Sequence, residues 1–144
     1  MILIDTSGLL SALDESQRFH SDCAGALAEA APPFLLSPFV LAELDYLLMR
    51  HIGRSAQSAL LEEVARGVYQ IELFVATDIQ RAREIADRYK DLDIGLADAS
   101  IVVLAEDLGI RRIATRDVRR FSALRLGDGS AFAIVVHPTK PDDS

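Results

Sequence analysis

Cysteine is nearly absent. Cys23 is the single one in 144 residues, which excludes an internal disulfide and any cysteine cage for zinc or an iron–sulfur cluster, and it reads as a small buried apolar residue. There is no tryptophan, and six phenylalanines with three tyrosines mark no platform on which bases would stack. No apolar run reaches the roughly 20 residues that a bilayer-spanning helix needs. The first residues also lack the basic region and long apolar run of an export signal, so the expected location is cytoplasmic, without a membrane partner. Positive charge is scarce as well: the net charge of −7 argues against nucleic-acid binding through a general basic surface. The exception is local, because six arginines fall in "RRIATRDVRRFSALR", residues 111–125.

Half of the residues are hydrophobic, enough at this length to bury one core. No repeat or linker interrupts the chain, so residues 1–137 are expected to form a single domain, with 138–144 as a short frayed tail. Short apolar stretches at 1–5, 34–36, 69–75, 111–114 and 132–136 read as strands, with helical patterns in most of the gaps. Such alternation predicts an α/β fold, a parallel sheet covered by helices. Ser37 before Pro38 opens "FVLAELDYLLMRH" as a capped helix that stops at Gly53. Ser55 can cap "AQSALLEEVAR", closed by Gly67, and Thr77 can cap "DIQRAREIADRYK". Gly95 precedes "LADASIVVLAEDL", which Gly109 ends.

Four acids stand where apolar residues are expected. Asp5 ends the first strand. Glu43 has Phe39 and Val40 one turn back and Tyr46 and Leu47 one turn ahead, which puts it inside an apolar helix face. Asp45 lies about 200° round the same helix and reads as solvated or interfacial. Asp98 shares a face with Ile101, Val102 and Ala105, and Asp117 follows the strand at 111–114. Taken singly, Asp98 can serve as a charge in a first helical turn and Asp117 as a cap. Taken together, Asp5, Glu43, Asp98 and Asp117 can converge beyond the carboxyl ends of the strands, where open parallel sheets bind ligands. Two like charges 4 Å apart repel by about 4 kcal/mol at an effective dielectric of 20, so such a cluster demands protons or a cation. An all-oxygen site suits Mg²⁺ or Mn²⁺, and the natural chemistry is metal-assisted phosphodiester hydrolysis. His20, His51 and His137 lie in dissimilar contexts and read as surface or capping residues.

In order and spacing, "ILIDTSGLL", "SPFVLAEL", "GLADASIVVLAEDLGI" and "IATRDVRRF" resemble the PIN-domain family, and more narrowly its VapC-type toxin ribonucleases of bacterial toxin–antitoxin pairs. The resemblance implies a three-layer α/β/α sandwich around a central parallel sheet. It further implies an endoribonuclease using Mg²⁺, or Mn²⁺, that inhibits translation and growth. Asp5, Glu43, Asp98 and Asp117 would be its catalytic quartet, with Asp5, Asp98 and Asp117 on the metal and Thr6, Ser7 or Thr115 supporting them by hydroxyl hydrogen bonds. Water attack in line would leave a 5′-phosphate and a 3′-hydroxyl. Arg112, Arg116, Arg119 and Arg120 flank Asp117 and can hold the RNA backbone, or form a solvated turn with local ion pairs.

The helix at 38–50 is hydrophobic nearly all round and "AQSALLEEVARGV" adds an apolar stripe, which predicts a homodimer through these helices. A groove in the same region would take an amphipathic helix of an antitoxin. Two other readings compete. One is a non-catalytic RNA- or partner-binding module whose acids merely cap helices. The other is an aspartyl-phosphate phosphotransfer domain, which wants a strand-end lysine where this chain has only Lys90 and Lys140.

Overall fold

A computed structural model describes residues 1–16 and 20–135. His137, Lys140 and the expected tail at 138–144 lie outside the described residues. Five short strands form one parallel sheet: β1 (Ile2–Ile4), β2 (Phe34–Leu36), β3 (Tyr69–Ile71), β4 (Arg112–Ala114) and β5 (Ala133–Ile134). Among the described residues the helices are α1 (Thr6–Leu13), α2 (His20–Glu29), α3 (Pro38–His51), α4 (Arg54–Ala65), α5 (Ala76–Arg88), α6 (Leu96–Leu108) and α7 (Val118–Ala123), with a 3₁₀ turn at Lys90–Leu92. They cover the sheet as a three-layer α/β/α sandwich.

The strand order is β3-β2-β1-β4-β5. The chain builds outward from β1 in one direction, then crosses back to place β4 on the other side. Between β1 and β4 the direction of winding reverses, and at such a point the loops beyond the strand ends diverge and leave a crevice. Ile2, Leu3, Ile4, Leu35, Leu36, Ile113 and Ala114 are buried, as strands covered on both faces require. Helix α6 is buried on every side from Ala99 to Ala105.

Every expected strand forms, but β3 is shorter than the apolar stretch 69–75. Its partner β2 ends at Leu36 because Ser37 turns the chain into α3; Glu72 still donates its N–H to the Leu36 carbonyl at 3.1 Å, and beyond it Leu73 is exposed. Ser37 caps α3 as expected, its hydroxyl accepting the Phe39 N–H at 3.2 Å. Two other expected caps are corrected. Only Ile52 and Gly53 separate α3 from α4, so α4 starts at Arg54 through the left-handed-side φ of +135° at Gly53, which puts Ser55 inside the first turn. Helix α5 starts at Ala76, and its end is satisfied by Asp78, whose carboxylate accepts the Val75 N–H at 2.9 Å; Thr77 is already helical.

Candidate active site

Asp5 leaves β1 with extended backbone angles and its N–H bonded to the Ala114 carbonyl of β4 at 3.0 Å. It is 4% exposed. Its Oδ2 accepts the hydroxyls of Ser7 and Thr115, each at 2.7 Å. Those hydroxyls in turn accept backbone N–H groups, Ser7 from Arg116 at 3.0 Å and Thr115 from Asp117 at 2.9 Å. One carboxylate oxygen therefore ties the first turn of α1 to the loop after β4. Gly8 makes the approach sterically feasible: a Cβ there would stand 2.5 Å from the Ala114 oxygen. Thr6 does not act as expected, since its Oγ1 is buried without a hydrogen-bond partner. Burial pushes the Asp5 carboxyl above the usual range, the Ser7 and Thr115 hydroxyls and the Thr6 backbone oppose this, and the charge of Asp117 adds to it.

Asp98 lies in the first turn of α6, its side chain 14% exposed. Its pKa rises to about 6, first through burial and then through the charge of Asp5; Arg120 pulls it down and Glu43 pushes it up. Asp117 serves as the expected cap through one oxygen and pairs with an arginine through the other. Its Oδ1 caps α7 by accepting the Arg120 N–H at 3.0 Å, while Oδ2 lies 3.3 Å from Arg120 Nε. Arg120 Nη1 also donates to Asp98 Oδ2 at 2.9 Å, so one guanidinium bridges two of the four acids.

Glu43 is placed differently from the expectation. It is exposed, not embedded in an apolar face, because the buried stripe of α3 is Val40, Leu44 and Leu48. Its charge adds to the upward shift of Asp98, after burial and Asp5. Asp45 is the half-buried acid of that helix, and accepts Gln57 Nε2 at 2.7 Å, which ties α3 to α4. A buried contact unseen in the sequence sets α3 against α6: the Ser37 and Ser100 hydroxyls meet at 2.6 Å, and Ser100 donates to the Ala97 carbonyl at 2.6 Å. A serine in the otherwise apolar "ASIVVLA" was the available signal.

The arginines separate. Arg112 is exposed at the amino end of β4, about 10 Å along the strand from Thr115. Arg116 Nη1 donates to Ser11 Oγ at 3.2 Å. Arg119 and Arg120 line a groove of about 380 Å³ with Asp91, Leu92, Asp93 and Asp117. His20 Nδ1 lies 3.0 Å from the Ser11 carbonyl oxygen, and His51 ends α3.

Among the described residues no three acidic, histidine or cysteine side chains enclose a volume that could hold a metal ion as they stand. The Arg120 guanidinium, a cation in contact with Asp98 and Asp117, occupies the place between them. The donors are nonetheless hard carboxylate oxygens that already hold a positive group, the chemistry that Mg²⁺ and Mn²⁺ require.

The profile of the family described as PIN domain matches residues 2–125. Ribonuclease VapC26 of Mycobacterium tuberculosis is 39% identical over 134 residues, spanning 93% of this chain and 99% of that protein. Among solved structures, VapC20 of Mycobacterium tuberculosis, described as a sarcin-ricin loop cleaving toxin, superposes with a TM-score of 0.78 at 23% identity, covering 83% of this chain and 92% of that one. A toxin–antitoxin complex from Klebsiella pneumoniae gives a TM-score of 0.67 at 18% identity, over 86% and 92% of the two chains. FitAcB from Neisseria gonorrhoeae gives 0.60 at 22% identity, over 92% and 97%.

Proposed function

This chain belongs to the PIN domain family, and on that premise we propose that it is an endoribonuclease dependent on Mg²⁺ or Mn²⁺, the toxin of a toxin–antitoxin pair. The observation that carries the reading is the coupling of Asp5, Asp98 and Asp117 at the reversal point of the sheet. Asp5 and Asp98 are both held above the ordinary carboxylate range, and the charges of Asp5, Asp117 and Glu43 contribute to those shifts. The identity to a named ribonuclease over nearly the full length supports RNA as substrate.

Asp5, Asp98 and Asp117 would hold the ion, with Glu43 at the exposed rim. The ion would supply Lewis-acid activation of water and neutralise charge on the leaving oxygen. The protein's own contribution is position. Ser7 and Thr115 hold one oxygen of Asp5 in a fixed direction, so that little reorganisation remains when substrate arrives. Arg119, exposed beside the acids, would hold a backbone phosphate that four carboxylates alone would repel. Hydrolysis by water leaves a 5′-phosphate and a 3′-hydroxyl.

Exposed apolar side chains on α3 and α4, Tyr46 at 59%, Met49 at 38% and Leu61 at 40%, support a homodimer through these helices and a neighbouring groove for an amphipathic antitoxin helix. No helix among the described residues is long and apolar enough to cross a membrane. The decisive assay is cleavage of structured RNA with Mg²⁺ or Mn²⁺ and with EDTA. Cutting confined to the metal-containing reactions, with 5′-phosphate ends, is expected; undiminished cutting in EDTA would refute the mechanism.

A further inference from the structure

Arg120 makes two contacts that belong to a cation rather than to a phosphate reader. It sits on the short helix α7, whose start is capped by Asp117. Its Nη1 reaches Asp98 Oδ2 at 2.9 Å and its Nε lies 3.3 Å from Asp117 Oδ2. A guanidinium is planar, always charged, and carries donors on more than one edge, so a single side chain can serve two carboxylates brought together from different elements. The side chain of Asp98 is mostly buried and Asp117 is about one-third exposed, so neither carboxylate is neutralised by solvent alone.

Asp98 Oδ2 and Asp117 Oδ2, the oxygens that Arg120 holds, are also hard donors of the kind a divalent ion takes. Oxygen ligands stand about 2.1 Å from Mg²⁺, and an ion at that distance would place its charge against the guanidinium and compete for the same lone pairs. The two cations would therefore oppose each other at this pair of oxygens. Resting on the metal-site reading above, we propose that Arg120 is a built-in counter-cation of the acidic pocket, and that a divalent ion enters only by displacing its guanidinium.

The structure provides room for the exchange. The groove of about 380 Å³ beside the acids is lined by Arg120 itself together with Asp91, Asp93 and Arg119, so the side chain can turn while its backbone N–H stays bonded to Asp117 Oδ1. Before the ion arrives Arg120 holds the acids together. Once the ion is bound, the guanidinium stands free at the edge of the pocket.

The test is Mn²⁺ titration by calorimetry of the full-length wild type, Arg120→Ala, Arg120→Lys and Asp98→Asn at pH 8, with the arginine Nε resonances followed separately as Mg²⁺ is added to the wild type. Removing an ion-paired competitor should tighten Mn²⁺ binding about fivefold in Arg120→Ala. Lysine keeps the charge without the two-edged fork and should fall between. The Arg120 Nε signal should shift with the same midpoint as Mg²⁺ uptake. Unchanged or weaker Mn²⁺ binding by Arg120→Ala, with Asp98→Asn unable to bind, would overturn the counter-cation alone. Mn²⁺ binding by Asp98→Asn as tight as wild type would instead defeat the metal-site reading, and this inference with it.

Discussion

Asp5 and Thr115 are 110 positions apart in the chain and 2.7 Å apart in space. The threonine hydroxyl has one proton, which it gives to Asp5, and with its lone pairs it accepts the Asp117 N–H at 2.9 Å. One side chain thus orients a buried carboxylate and fixes the loop that carries the next acid.

Thr115→Val keeps the shape and removes both bonds. Leaving a buried carboxylate short of a donor costs about 1–3 kcal/mol, so the melting temperature should fall by several degrees and RNA cleavage should drop steeply. Thr115→Ser, which retains the hydroxyl, should restore both in parallel melting and cleavage measurements.

Gly8→Ala should damage the fold where α1 meets β4. The added Cβ would lie 2.5 Å from a backbone oxygen and 2.8 Å from its carbon, which cannot swing aside as a side chain does. Overpacking of this kind costs about 1–3 kcal/mol. A chemical denaturation midpoint equal to wild type would contradict the close approach.

Asp5→Asn and Asp98→Asn should each abolish cutting while retaining a cooperative melt. Both remove charge from a site where burial already disfavours it, so melting temperatures in EDTA should match or exceed wild type. A variant that still cleaves would exclude its carboxylate from the chemistry.

The pH dependence follows from Asp98, which titrates at about 6 in the folded chain against an ordinary value near 4. Between those values the folded state binds more protons than the unfolded one, so this group's contribution to stability declines as pH rises through the window. In EDTA, the melting temperature of wild type relative to Asp98→Asn should fall from pH 4 to pH 7. Mn²⁺ should bind more weakly at pH 5 than at pH 7, with proton release detectable in buffers of different ionisation enthalpy.

The dimer can be broken at the exposed apolar face. Tyr46→Glu with Met49→Glu adds like charges where an apolar partner surface would press, and sedimentation velocity should show a monomer in place of a wild-type dimer. A monomeric wild type would leave this face to the antitoxin helix alone.

Much of the architecture was legible because it depends on near neighbours. The cap at Ser37 is a bond to a residue two positions on, and Gly109 ends α6 through its own left-handed φ of 65°. Apolar runs located all five strands. The site was legible only in part. Asp5 stood out because an acid closing a buried strand is anomalous, and Asp98 because the helix face it shares with Ile101, Val102 and Ala105 is otherwise apolar. Glu43 was found by its helical spacing, yet that spacing misjudged its burial, since the apolar residues around it are split between the core and an exposed face. Gly8 and the bridging role of Arg120 had no local signature.

An α/β chain, its strand positions, several helix ends and a set of four acids whose burial would demand a counter-charge could be read from residue order alone. Only folding places β4 beside β1, brings Ser7 and Thr115 to one oxygen of Asp5, and sets the positive charge of Arg120 between Asp98 and Asp117. The division has a physical cause. Caps and periodicity arise from atoms within about one helical turn of each other, whereas the distances that shift a carboxyl or admit an ion are set between residues brought together only when the core closes.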